Sequence, residues 1–261
     1  MNKTACTINP YAVAGREILH RLRWDLRAES WRSRRGLVAL KDSHRDQMAL
    51  ILCNGPSLNS VDFECLKGTF CFGLNKIHLL FDRTGFRPSA IVCMNYRVIE
   101  QTADFYNRTD IPLFLNRTGI HLVRGGRGRI FLHATSLSRA FARDCSISIH
   151  PGYTVTYAAM QLAYHMGFKR VALVGCDHHF NRQGPAGMLG MAEGRDPDHF
   201  DPRYFSDVPW ILPDLAESEI SYRMALDVYR AAGRELVNAT VGGKLEILPR
   251  MPLEQFLRES R

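Results

Sequence analysis

Short apolar runs recur along this chain from residue 48 onward, at 48–53, 69–74, 89–94, 112–115, 130–132, 170–175 and 235–237. Each is too short for a typical helix, and most are rich in residues that favour strands. Between several of them the period lengthens to that of a helix, most clearly over 153–166 and 214–232. Strands alternating with helices predict an α/β fold, a doubly wound and mostly parallel Rossmann-like sheet with helices on both faces. The segment 178–213 breaks the alternation. Gly, Pro, His, Asp and aromatic residues mix there without a period, which predicts a long loop or lid. Ahead of the first run, Ile18, Leu22 and Leu26 repeat at helical spacing and Leu19 shares their face. The expected organisation is therefore a basic helical extension over 1–46 and a Rossmann-like domain over 47–261.

The residues that follow the runs change the picture. LILC is followed by Asn54, CFGL by Asn75, IVCM by Asn95, LFL by Asn116, ALVGC by Asp177 and ELV by Asn238. In an open α/β sheet a ligand sits outside the carboxyl ends of the strands. Carboxamides there offer donors and acceptors that suit a base, a ribose or a sugar. Asn is also a good turn residue after a strand. Repetition at six strand ends favours the ligand reading.

Composition narrows the classes. An apolar share of 46% with 23% charged residues is that of an ordinary globular chain. The first thirty residues carry no apolar leader, being interrupted by Arg16, Arg21, Arg23 and Arg27, and no stretch reaches the ~18 apolar residues of a spanning helix. Seven cysteines without a CxxC pair, several inside apolar runs, read as reduced core residues of a cytoplasmic protein. The net charge of +8 points to an anionic partner. Seven arginines fall between Arg16 and Arg35, among Ile18, Leu19, Leu22, Leu26 and Trp31. Such a helix either packs on the main domain with its arginines in water or lies peripherally on the inner face of an anionic membrane. Nucleic acid is disfavoured, because the arginines are not interleaved with aromatics as in any known module.

The turn NGPSLN after the first run is neither a dinucleotide fingerprint nor a P-loop, since it has one glycine and no Lys-Ser/Thr. It still lets a phosphate approach a helix start with Ser57 as cap. A second such start is HPGYTVT, where Thr154 and Thr156 supply hydroxyls. Arg124, Arg127 and Arg129 in VRGGRGRI, and Lys244 in NATVGGK, are further candidate anion contacts.

NGPSL after the first strand, an Asn ending the second, MGFKRVALVGCDHHF, and VNATVGGKLEILPRMPLEQFL together resemble the Maf/MptE-like family, which is related to bacterial family 42 sialyltransferases. The resemblance spans roughly 46–257 and makes 47–261 the nucleotide-binding catalytic domain. It implies that Asn54, Gly55 and Ser57 line a nucleotide site and that Asn75 and Asn95 contact the donor sugar nucleotide. Gly152, Tyr153 and Thr154 would reach the cytidine or its phosphate, with Asp177 at the strand end. His199, in DPDHFDPRYF, matches the catalytic histidine best. The sequence departs from the sialyltransferases in having no clear tyrosine pair for the leaving phosphate, with Tyr204 as a candidate, and in adding His178 and His179.

Three functions follow. One is a glycosyltransferase moving a sugar, of nonulosonic acid type, from a CMP-type donor to a glycan acceptor. His199 would be its base, oriented by Asp198 or Asp201, and no cofactor or metal would be required. The second is an MptE-like diphosphokinase acting on hydroxymethylpterin with ATP, with Mg²⁺ held by Asp177 and Asp198. The third is a non-catalytic nucleotide-binding protein. No HExxH or DxD spacing marks a metal site in itself.

Overall fold

The computed structural model describes residues 9–135, 139–181, 184–191, 194–206 and 208–258. The extension forms two helices, α1 (Pro10–Asp25) and α2 (Ala28–Leu40), where the periodicity suggested one. Asn9 Oδ1 accepts from the N–H of Tyr11 at 3.0 Å, and Pro10 occupies a first position that needs no donor. The break falls at Arg27, whose backbone is extended, and the Trp31 indole N–H locks the turn by donating to the Asp25 carbonyl at 3.0 Å.

Every apolar run from residue 48 onward becomes a strand: β1 (Met48–Leu52), β2 (Phe70–Leu74), β3 (Ala90–Cys93), β4 (Leu113–Asn116), β5 (Arg129–Leu132) and β6 (Arg170–Val174). A short ribbon, β7 (Leu189–Met191) with β8 (Pro209–Ile211), precedes β9 (Glu235–Asn238). The main sheet runs β5-β4-β3-β2-β1-β6-β9, and each pair in it is parallel. The chain winds outward from β1 to β5, then returns to place β6 on the other side of β1. That reversal is the topological switch point.

Alternate residues of each strand enter two cores. Ile51, Phe72, Val92 and Leu173 pack with α4 (Val155–His165) and α5 (Leu215–Ala231), through Ala159, Leu162 and Tyr229. Leu50, Leu52, Ile91 and Val174 pack on the other face with Ile99 and Tyr106 of α3 (Tyr96–Arg108) and Phe256 of α6 (Leu253–Arg258). Burial on both faces is what a parallel sheet requires, so the fold is doubly wound as expected.

α2 closes the β5 edge. Ser33 Oγ accepts from the Phe131 N–H at 2.8 Å, satisfying a donor the edge would otherwise leave bare. Gly36 lies so close to β5 that a Cβ would meet Ile130 Cδ1 at 3.1 Å. The 178–213 segment is likewise more than a loop: it carries the β7–β8 ribbon, and Phe200, Tyr204, Phe205, Trp210 and Leu212 join the second core. Its apolar residues are too scattered in sequence to show a period.

Candidate active site at the β1–β6 switch point

The first turn leaves β1 and meets the turn after β6 at close quarters. The Gly55 N–H donates to the Gly175 carbonyl at 2.9 Å, and a Cβ on Gly55 would sit 1.9 Å from Asp177 Oδ2. Only glycine fits there. Ser57 Oγ–H donates to the same carboxylate oxygen at 2.7 Å, and the Lys244 N–H donates to the Asp177 carbonyl at 2.8 Å. Asp177 thus ties together three turns at the carboxyl edge of the sheet.

Above these turns lies a cavity of about 540 Å³, walled by Asn54, Gly55, Asn75, Asn95, Tyr153, Thr154, Asp177 and His199. Of the residues expected to bind donor, Ser57, Gly152 and Tyr204 stand behind this wall. Gly152 has φ +57, and a Cβ there would strike the Tyr157 ring at 2.1 Å, so its role is to let the α4 turn form. Thr154 caps α4, its Oγ1 accepting from the Thr156 N–H at 3.3 Å.

The six strand-end residues divide by what their side chains already hold. Asn95 Oδ1 accepts from the Arg97 N–H, Asn116 Oδ1 from the Thr118 N–H, and Asn238 Oδ1 from the Thr240 N–H. Asn116 and Asn238 also commit their Nδ2 groups, to the Met94 and Leu245 carbonyls, and are turn residues, while Asn95 holds its turn through Oδ1 alone and lines the cavity. Asp177 is the anchor described above. Asn54 Oδ1 and Asn75 Oδ1 are buried with no partner, and so is the Trp210 indole nitrogen on the same wall. A buried polar atom left unpaired costs about 1–3 kcal/mol, so two acceptors and a donor held this way are poised for a polar ligand. Asn75 also has φ 48, a conformation that asparagine tolerates better than most residues.

His199 is the best-positioned basic group. Its Nδ1 lies 2.8 Å from Asp196 Oδ2, an arrangement that in the neutral ring places the proton on Nδ1 and makes Nε2 the acceptor. Asp196 also accepts from the N–H groups of Asp198 and Phe205. Burial raises the Asp196 carboxyl, but the hydrogen bond and charge of His199 and those two amides outweigh it and hold the group below its ordinary value. The ring stacks on Tyr204 at 4.1 Å and 5°, and Phe205 meets it edge-on at 5.1 Å, so its rotation is frozen. The expected orienting groups lie elsewhere: Asp198 accepts from Asn181, and Asp201 pairs with Arg203 at 2.9 Å. Tyr204, offered as a phosphate contact, is fully buried beneath the histidine.

Two hydrogen bonds fasten the histidine's segment to the first turn. The Phe200 N–H donates to the Asn54 carbonyl at 3.0 Å, and Asn59 Nδ2 donates to the Phe200 carbonyl at 2.9 Å. His178 latches the same segment to α5 through Glu219, with Nε2 and Oε1 at 3.1 Å. His179, Lys244, Asp177 and Asp198 line a second cavity of about 290 Å³ that shares a wall with the first. Arg124 and Arg127 are exposed on the β4–β5 connection, and Arg129 donates to the carbonyls of Ile111 and Thr109, so none of the three lines the main cavity. Arg97 is the single Lys or Arg among its described lining residues, against Asp177, Asp198 and Asp214. Among the described residues, no three His, Cys, Asp or Glu side chains gather to hold a metal ion. One oxygen each of Asp177 and Asp198 is taken, by Ser57 and Asn181, which leaves the other of each for a cation.

A doubly wound parallel sheet with a polar cavity at its switch point defines a Rossmann-like α/β protein. Within that class, residues 28–183 match the family model described as 6-hydroxymethylpterin diphosphokinase MptE-like, and the chain belongs to that family. The match opens on the first residue of α2 and includes Asn54, Asn75, Thr154 and Asp177, while His199 and Asp196 lie beyond it. No curated protein and no solved structure matches the chain, so the comparisons do not extend the resemblance to the family 42 sialyltransferases.

Proposed function

We propose that the chain is a nucleotide-dependent transferase that moves a group from a nucleotide donor to a hydroxyl acceptor, with His199 as general base. The observation that carries this reading is the Asp196–His199 pair on the cavity wall, 2.8 Å apart. The acceptor oxygen attacks the donor, its proton passes to His199 Nε2, and the nucleotide leaves with the bonding pair on its phosphate. Asp196 stabilises the imidazolium so formed. The Asn54 and Asn75 oxygens accept from the ligand's N–H or O–H groups, and the start of α4 at Thr154 receives a phosphate.

Two donors are argued. Three acidic groups against Arg97 among the described lining residues favour a donor of low charge, such as a nucleoside monophosphate sugar, which would make the reaction a glycosyl transfer. Membership of the MptE-like family favours diphosphoryl transfer from ATP to a hydroxymethylpterin. In that case Mg²⁺ on the remaining oxygens of Asp177 and Asp198 would offset the triphosphate charge. A thermal-shift screen against CMP, CDP, UDP, GDP and ATP, with and without EDTA, separates them. A ligand at 100 times its Kd adds about 2.7 kcal/mol. Stabilisation by CMP that ignores EDTA supports glycosyl transfer, and stabilisation by ATP that EDTA abolishes supports diphosphoryl transfer. If a nucleotide binds but no candidate acceptor turns over, the protein is a binding module and the reading fails.

A further inference from the structure

We infer that the outer face of α1, with Trp31 of α2, is a docking surface for an anionic phospholipid membrane. Tyr11, Ile18, Leu19, Leu22, Leu26 and Trp31 are between 55% and 87% exposed. At 100° per residue the first five fall within about 100° of arc on α1 and its C-cap, forming one continuous apolar stripe. A surface helix ordinarily turns such a stripe inward. Here the inward side is carried instead by Trp24, 3% exposed, and by Arg21, which donates to the Ile147 carbonyl and pairs with Asp25 at 2.8 Å. The stripe is thus left outward with no partner among the described residues.

Charge selects the occupant. Arg16, Arg23 and Arg27 are exposed and follow the stripe along one flank, and Arg34 and Arg35 are exposed on α2 beside Trp31. The acids that would oppose an anionic surface are partly neutralised, since Asp25 is held by Arg21 and approached by Arg34 at 3.7 Å. The chain as a whole carries +8. Apolar groups at the centre, an exposed Trp and arginines at the rim are the arrangement of a helix lying in the plane of a lipid interface. A second copy of the same face would bring these arginines together. Among the described residues no helix is long and apolar enough to cross a membrane, so the contact is on the surface.

The placement bears on the cavity. Arg21 of α1 donates to the Ile147 carbonyl, two residues ahead of Ile149, which pairs with Ala134 just past the carboxyl end of β5. α1 therefore lies beside the carboxyl edge of the sheet, the edge on which the cavity opens. An acceptor embedded in or tethered to the membrane would reach the site from that side.

The test is flotation of the full chain with vesicles of equal phosphatidylglycerol and phosphatidylcholine, compared with pure phosphatidylcholine. Support is flotation with the anionic vesicles alone, release at high salt, and loss of binding by about tenfold or more in Leu22→Glu/Leu26→Glu. Both residues are exposed, so the variant keeps the wild-type circular dichroism spectrum and its nucleotide thermal shifts. Those shifts report on the proposed function independently of lipid. The inference is overturned by no flotation at low salt, by equal flotation of the double variant, or by a wild-type dimer in light scattering that the double variant dissociates without any vesicle binding. Equal binding to both vesicle types removes the anionic requirement and overturns it as well.

Discussion

At the scale of single residues the proposed function predicts that chemistry and recognition separate. His199→Ala is expected to lower turnover by roughly 10²- to 10⁴-fold while the donor Kd stays within about threefold. Asp196→Asn keeps the shape but removes the charge that stabilises the imidazolium, and should lower kcat by roughly tenfold or more with little change in donor affinity. Steady-state kinetics beside calorimetric titration distinguishes these outcomes from misfolding. Asn54→Ala should do the reverse, weakening donor binding by about tenfold while Tm holds or rises, because it deletes a buried oxygen that has no hydrogen-bond partner within the fold. His199, expected from the resemblance, lies on the cavity wall, and its pairing with Asp196 was not expected. Asp198 and Asp201 are nearer in sequence, but their side chains are committed to Asn181 and Arg203, and Asp196 reaches the ring from three positions back. Arg97 and Trp210 left no signal, because they sit on a helix and a ribbon that become part of the wall only through tertiary packing.

At the scale of elements, the strands of the main sheet were readable because each is a short apolar run buried on both faces. The β7–β8 ribbon was not, since it alternates weakly and is held by a core assembled from distant aromatics. The N-terminal helix was readable in position, while the sequence left open which face packs, and its apolar stripe marks a face that the fold leaves outside. α2 offers a direct test of how the extension joins the sheet. Ser33→Ala leaves the Phe131 N–H without its acceptor at the β5 edge. The expected cost is about 1–2 kcal/mol, which for a domain of this size lowers Tm by roughly 2–5 °C. Hydrogen exchange should quicken at Phe131 ahead of β1 and β6, which lie in the centre of the sheet.

At the scale of the whole molecule, stability should fall on mild acidification. Burial lowers His78 to about 4, helped by Lys76, and lowers His133 to about 4, helped by Arg117. Both are neutral in the fold at pH 5 while the unfolded chain, with histidines near 6.5, binds protons. The unfolded state then holds more protons, so stability declines as pH drops from about 6.5 towards 4. Each histidine should cost roughly 1 kcal/mol between pH 7 and pH 5 after allowance for partial solvent contact. Thermal melts at the two pH values should show a smaller drop for His133→Leu and for His78→Phe, the latter keeping the stack on Phe105. The two hydrogen bonds that join Phe200 to the first turn, from its N–H to the Asn54 carbonyl and from Asn59 Nδ2 to its own carbonyl, have a different kind of consequence. They make the first turn and the segment bearing His199 a single mechanical unit. Grafting a foreign sequence in place of 178–213 would discard the partner that the first turn grips, together with the part of the second core built by Phe200, Tyr204, Phe205, Trp210 and Leu212. Changes to the segment are therefore expected to be tolerated best where Phe200 and its two hydrogen bonds to the first turn are kept, which thermal melts of segment variants would read.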